Sequence, residues 1–412
     1  MNASPLIEND VIVLGILLVL LYLIFWASQS TNSFLKKLFT LFPPILLCYF
    51  IPGALNSTGV ISGESSQIYP VASHYLLPPC LLLFTLSLDL NMLKKLGLKA
   101  VLVFLAGTLG VVIGGPVAVW IVKNIAPQTF DENTWKGLAT IAGSWIGGGA
   151  NQTALKEVFQ PSGKLFSQTV AVDILVAESW LALILLGVAN KNRINNFLGG
   201  DTSLIGEIKD KVALEAEANS KIPSFLNLLH ILAIGFGGTA LAYLLADQIA
   251  PYIAENHPSL AKLSLTSTFF WVVVFVTLFG IVLSQTKARA LEHVGASKVA
   301  SVFLYILIAA IGMQMNLVAI QENPYLFLVG FIWIIIHAII IVAVGKMLKV
   351  PYFFVAVGSQ ANVGGAASAS VVAGAYHPAL ISVGVILSVL GYAVGTYAGY
   401  ITALLMKWAS GF

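Results

Sequence analysis

The chain has 412 residues, of which 58% are hydrophobic and only 9% charged, with a net charge of +3 and a mean hydropathy of +0.91. No water-soluble core uses that much apolar surface, and the small positive charge, with no basic patch interleaved with aromatics, excludes a nucleic-acid binder. The two cysteines, Cys48 and Cys80, both fall in apolar runs, which excludes a disulfide or zinc framework.

In chain order, apolar runs of about 18 residues or more recur and read as membrane helices. The first, Val11 to Ala27, follows Glu8 and Asp10 and no basic residue, so it is expected to be retained with its N-terminus outside. Helices are predicted near 10–27, 36–55, 71–90, 97–124, 137–158 and 166–188, then near 224–246, 266–285, 298–316, 325–347, 352–375 and 378–406. Between the two sets most of the soluble charge collects, and 204–218 within it reads as a solvated or interfacial amphipathic helix. The expected division is a first transmembrane half over 1–189, a polar linker over 190–224 and a second transmembrane half over 225–412.

The halves look alike. "SLDLNM" (Ser87 to Met92) closes one helix as "GMQMNL" (Gly312 to Leu317) closes another, and each is followed by a long apolar helix and then a glycine-rich one. The glycine-rich helices hold Gly147-Gly148-Gly149 and Gly364-Gly365. The loop "NMLKKLGLK" carries three lysines and no acid, while its counterpart "NLVAIQENP" has no base and one acid, so by the positive-inside rule the copies are inverted. Equivalent helices in the predicted list stand an even number of crossings apart, which inversion forbids. Either a crossing near the linker is miscounted or a segment such as 224–246 does not span.

The fold class expected is thus an all-α polytopic membrane protein of two inverted repeats. Each repeat has a discontinuous transmembrane helix, 137–158 and 352–375, crossing near mid-membrane. Backbone groups freed at such breaks cannot stay unpaired in hydrocarbon, so they must face protein, water, ion or solute. Both motifs also carry amide and hydroxyl groups: Ser144, Asn151, Gln152 and Thr153 in the first, Ser359, Gln360, Asn362, Ser368 and Ser370 in the second. These are the expected solute-binding residues, with Asn151 and Asn362 facing one cavity from opposite helices. Asp173 and Glu178, in the apolar helix after the first break, are the candidate proton carriers or sodium ligands, although about 140° of helix rotation separates them. Asp89 reads as an interfacial ion pair with Lys94 or Lys95, His337 as a hydrogen-bonded interhelical histidine, and Gly391, Gly395 and Gly399 as a close-packing ridge.

These motifs, "SWIGGGANQTAL" before "AVDILVA" and "QANVGGAASASVVA" before "PALISVGVILSVLGYAVGTYAG", resemble the bacterial DUF819 membrane proteins, which are grouped with the cation:proton antiporter and anion-transporter superfamily. The resemblance is strongest over 80–190 and 300–400. It implies two crossed broken helices with an acid, here Asp173, at the ion site, and it implies no substrate. Antiporters of that superfamily often pair acids or Asn-Asp on this helix, whereas Val172 precedes Asp173 here, which argues against pure sodium/proton exchange.

The expected function is a secondary active transporter, a multi-pass protein of the bacterial inner membrane that moves a small polar or anionic organic solute with protons or sodium. A cation/proton antiporter without organic substrate and a non-transporting receptor or scaffold are the alternatives. No enzyme motif is present: there is no HExxH, no GxxxxGK[ST] and no paired nucleophile and base. The expected partners are the solute and the lipid bilayer, with a homodimer left open and no nucleic acid. No metal site and no cofactor beyond Na+ or H+ as coupling ion is expected.

Overall fold

The computed structural model describes the chain apart from residues 1–4, 42–43, 64, 90–92, 95, 204, 207–221, 264, 316–321 and 378–379. The predicted amphipathic helix 204–218 and parts of the two helix-closing motifs therefore lie outside the described residues. Among those described, seven helices are long and apolar enough to cross a membrane.

Helix α1 (Asp10–Ser28) is capped by Asn9, whose side chain accepts from the Val11 N–H at 2.9 Å. The residues before it pair with the loop at residues 59–60, Leu6 N–H donating to the Gly59 carbonyl and Ile7 N–H to the Val60 carbonyl, so the start of α1 and that loop share one membrane face. The region predicted as one span over 36–55 is instead two shorter helices, α2 (Ser33–Leu41) and α3 (Pro44–Ser57), the second opening on Pro44, whose missing N–H suits the first turn of a helix. Helix α4 (Ile68–Leu86) carries a π-turn at Ala72–Leu76. Pro78 and Pro79 follow it and supply no N–H to the preceding carbonyls, a common cause of such widening.

Helix α5 (Leu98–Ile125) packs along α12 (Tyr325–Met347) through small residues. A Cβ on Gly107 or Gly110 would touch His337, and one on Gly114 would touch Trp333. Rising numbers on one helix thus meet falling numbers on the other, so the two run antiparallel.

The next element, α6 (Thr134–Phe159), departs from expectation. Extended as one helix it would place Trp135 about 36 Å from Phe159, yet their rings lie 5.2 Å apart. Backbone torsions leave the helical region at Gly147 (φ −138°) and Gly148 (φ 71°, ψ −172°), and a Cβ on Gly143 would lie 2.7 Å from the Asn151 carbonyl oxygen. The segment is therefore a helical hairpin that turns at Gly147-Gly148 and returns to its starting side. The region predicted over 352–375 does the same. Helices α13 (Tyr352–Val363) and α14 (Gly365–Tyr376) meet at Gly364-Gly365, with Gly365 at φ +64°, and bring Phe353 and Tyr376 to 5.1 Å.

Neither glycine-rich segment is a broken helix that crosses, and this corrects the sequence count. Helix α9 (Phe225–Asn256), suspected of not spanning, is 32 residues long and passes as a span. Removing the first hairpin from the crossings makes the separation of the helices compared in the sequence odd.

Helix α7 (Gly163–Ala189) fixes the placement of the hairpins. The base of the first lies beside the start of α7, where Leu165 packs on Gly137. The base of the second lies beside its end, where the Tyr352 hydroxyl donates to the Ile184 carbonyl at 3.2 Å. Short α8 (Lys191–Leu198) follows on that side, Asn195 accepting from the Tyr352 N–H at 2.7 Å. A helix of 27 residues is about 40 Å long, so the hairpins enter from opposite ends of the bundle. Lys94, Lys99, Lys191, Arg193, Lys287, Arg289, Lys346 and Lys349 stand at the second hairpin's end, against Lys123, Lys136, Lys164 and Lys407 at the other, so by the positive-inside rule the second hairpin's end is the cytoplasmic one.

Helices α10 (Thr268–Leu283) and α11 (Ala296–Gly312) pack with α3, α4 and α9 beside this core, and the segment Lys287–Val294 bends 95° away from α10. Helix α15 (Ile381–Ser410) runs through the centre. Its glycines are sites of close approach: a Cβ on Gly391 would sit 2.6 Å from the Ile146 carbonyl oxygen, and one on Gly395 would sit 2.7 Å from the Gly147 Cα. Helices α1 and α9 expose Val11, Val19, Trp26, Phe225, Leu244 and Tyr252, as lipid-facing helices do. Both cysteines are buried and free.

Candidate functional site

The hairpin tips meet. A Cβ on Gly365 would lie 3.9 Å from the Gly148 Cα, and a Cβ on Gly148 would lie 3.3 Å from the Tyr392 ring of α15. Each tip ends one helical arm and begins another, so carbonyl-rich C-termini and N–H-rich N-termini converge on one small region.

Asp173 of α7 sits behind the first tip and is 4% exposed. Its Oδ1 accepts from the Trp145 indole N–H at 2.6 Å and its Oδ2 from the Gln152 amide at 2.7 Å, with Ser144 as a further donor. Tyr49 of α3 donates to Gln152 Oε1 at 3.1 Å, which fixes the orientation of that amide toward the acid. Every partner named is neutral, and among the described residues no basic side chain pairs with Asp173. An ionised carboxylate buried without a countercharge is costly, so this site calls for a proton or a cation. Glu178 is half-buried further along α7 and lies outside this set of hydrogen bonds.

At the second tip Gln360 is 0% exposed, and among the described residues neither its Nε2 nor its Oε1 has a hydrogen-bond partner. Its Oε1 and the Ser368 hydroxyl both lie against the tip, 2.6 and 2.5 Å from where a Gly364 Cβ would be. Leaving an amide unpaired in a buried place costs about 1–3 kcal/mol.

The two asparagines are placed otherwise. Asn151 Nδ2 donates to the Gly147 carbonyl at 2.9 Å and to the Tyr392 carbonyl at 3.3 Å, while Thr396 donates to its Oδ1 at 2.5 Å. Asn362 repeats the pattern on α5, donating to Gly358 and Phe104 carbonyls at 2.9 Å each and accepting from Thr108 at 2.8 Å. In this structure both amides tie a hairpin arm to a neighbouring helix rather than facing one cavity. Asn151→Ala and Asn362→Ala are each expected to destabilise the protein by about 1–3 kcal/mol, read as a lower Tm of the purified protein. A tenfold loss of solute affinity at unchanged Tm would return these amides to the solute.

The other residues singled out in the sequence are placed as follows. Thr153 donates to the Gly149 carbonyl at 2.8 Å within its own arm, Gly149 itself is regular helix, and Ser370 lies half-buried on α14. His337 is fixed as a neutral strut: Nδ1 lies 2.9 Å from the Gly107 carbonyl, which can only accept, so Nδ1 carries the proton. Nε2 then accepts from Ser359 at 2.8 Å, and Ser359 accepts from the Trp180 indole at 2.8 Å. Asp89 does form an ion pair, with Arg289 rather than Lys94, and Lys95 is outside the described residues. Tyr49, Trp145 and Trp180 carry no polar pattern in the sequence that announces them, whereas Thr108 and Thr396 stand out as hydroxyls within long apolar helices.

Helices that expose apolar side chains outward and fold polar hairpins inward define a multi-pass α-helical protein of the bacterial inner membrane. The chain belongs to the DUF819 family, described as a protein of unknown function, whose model matches residues 15–408. It is also similar to the uncharacterized membrane protein YjcL of Bacillus subtilis (strain 168), 23% identical over 366 residues that make up 87% of each chain.

Proposed function

We propose that this protein is a secondary active transporter that carries a small polar or anionic organic solute across the inner membrane, coupled to protons or sodium. The observation that carries this reading is the meeting of two hairpin tips, with a buried acid behind one and a buried amide at the other that, among the described residues, lack a basic partner and any hydrogen-bond partner respectively. Asp173 supplies the place for the coupling ion and Gln360 a contact for the solute. The antiparallel run of α5 and α12, and the entry of the hairpins from opposite ends of α7, support two inverted repeats around this centre. A bare cation needs chiefly carboxylate and carbonyl oxygens, so the free amide and nearby hydroxyl favour an organic solute over simple cation exchange.

Screening the purified protein against amino acids, dipeptides, carboxylates and sugar acids, with and without sodium, should give a thermal shift with one of these classes. Gln360→Met keeps the side-chain length and removes the unpaired amide. It is expected to raise the Tm of the solute-free protein while weakening the apparent affinity at least about tenfold. Unchanged affinity in that variant would place the solute away from the second tip.

A further inference from the structure

A cavity of about 260 Å³ runs from the cytoplasmic end of α4 to the hairpin tips. At its outer end stand Asp89, Arg289, Glu292 and Ser301; at its inner end are Ala366, which follows Gly365 at the second tip, and Tyr392, whose ring contacts the first. One lined space thus joins the cytoplasmic face to the place where the solute is proposed to sit.

The charges at the mouth are not equivalent. Glu292 accepts from the Ser87 hydroxyl at 2.5 Å and from the Ser297 hydroxyl and N–H at 2.6 and 3.0 Å, which commits it to capping the start of α11, where the helix dipole favours an anion. Arg289 pairs with Asp89, and their side chains are 30% and 20% exposed. Both side chains are mostly buried at the cavity wall, and a solute carboxylate that takes the place of Asp89 keeps the guanidinium paired, so the exchange leaves no uncompensated positive charge. A guanidinium holds a carboxylate through two parallel N–H bonds, a geometry that a lysine cannot reproduce. The inner end continues the same preference, because Ala366 in the first turn of α14 lines it, and behind that lining the Gln360 amide, without a partner among the described residues, lies beside Ser368 at the break.

We propose that this cavity is the cytoplasmic vestibule of the solute site and that Arg289 selects small organic carboxylates by exchanging Asp89 for the solute. The proposal rests on the transport reading and narrows its substrate class.

The test uses thiol reagents in place of the unidentified solute. Cys48 and Cys80 are both 0% exposed, so a cysteine introduced as Ala366→Cys or Ser301→Cys is the reactive one. In inside-out vesicles both should react with the anionic reagent sulfonatoethyl methanethiosulfonate and with its cationic trimethylammonium analogue, and in right-side-out vesicles with neither. Adding Arg289→Gln should lower the anionic-to-cationic rate ratio at Ala366→Cys by about tenfold, the scale of one charge acting over ~10 Å in a partly shielded site. Arg289→Lys should keep the ratio, and Asp89→Asn, which frees Arg289, should raise it. Failure of both cysteines to react from the cytoplasmic face overturns the vestibule, and a ratio indifferent to both Arg289→Gln and Asp89→Asn overturns the selection. Either failure leaves coupled transport intact, whereas absence of any solute uptake by a protein that gives the expected rates would remove transport and keep the vestibule.

Discussion

Replacing Asp173 by asparagine should reduce gradient-driven solute uptake in proteoliposomes to the level of protein-free vesicles, while the protein remains folded and inserted. The substitution keeps the size of the side chain and one oxygen for the Trp145 indole, and Gln152 can turn its own oxygen toward the new amide at the cost of its bond from Tyr49. What disappears is the group able to bind a proton or a cation in a place that has no basic neighbour among the described residues. Exchange of solute down its own gradient is a separate measurement. Full concentrative uptake by Asp173→Asn would take the coupling ion away from this residue, and loss of folded protein would make the acid structural.

The second large effect is expected at one glycine of a run of three. Gly148 has φ 71° and ψ −172°, a combination open in practice only to glycine, and forcing another residue into it costs about 1–3 kcal/mol. Its Cβ would in addition press on the Tyr392 ring at 3.3 Å. Gly149, next in sequence, is already helical, and a Cβ there meets only Leu304 and Ile308 side chains at 3.8–3.9 Å. Gly148→Ala should therefore lose transport and lower the Tm, whereas Gly149→Ala should keep transport and hold or raise the Tm, alanine being the better helix former by up to about 1 kcal/mol. Equal behaviour of the two variants would mean that the first hairpin does not turn where the backbone torsions place it.

Much of this was legible in the sequence, and the limit is physical. Gly147-Gly148 and Gly364-Gly365 announced the breaks because paired glycines beside amides have no purpose in a simple lipid-facing helix. Asp173 announced itself as an acid among Val172, Ile174 and Leu175. The hairpins did not, because 26 residues of mixed polarity fit a crossing and a fold-back equally well, and only the meeting of Trp135 with Phe159 decides between them. The parity of crossings did register the error, although it pointed to α9 instead of α6. The roles of Asn151 and Asn362 were also out of reach, since each depends on a threonine far away in the chain, Thr396 or Thr108, that completes its hydrogen bonds. Gln360 and Asn362 look alike on paper. Only the packed structure separates the amide with three hydrogen bonds from the amide with none among the described residues.

The most direct test of coupled transport is uptake of a solute panel into proteoliposomes under imposed proton and sodium gradients, each collapsed in turn by an ionophore. The account predicts that one class of small polar or anionic organic solute accumulates above its outside concentration, and that collapsing one of the two gradients abolishes this accumulation. Accumulation of no solute under either gradient, by protein that still gives a solute-dependent thermal shift, would contradict it and leave a solute-binding membrane receptor in its place.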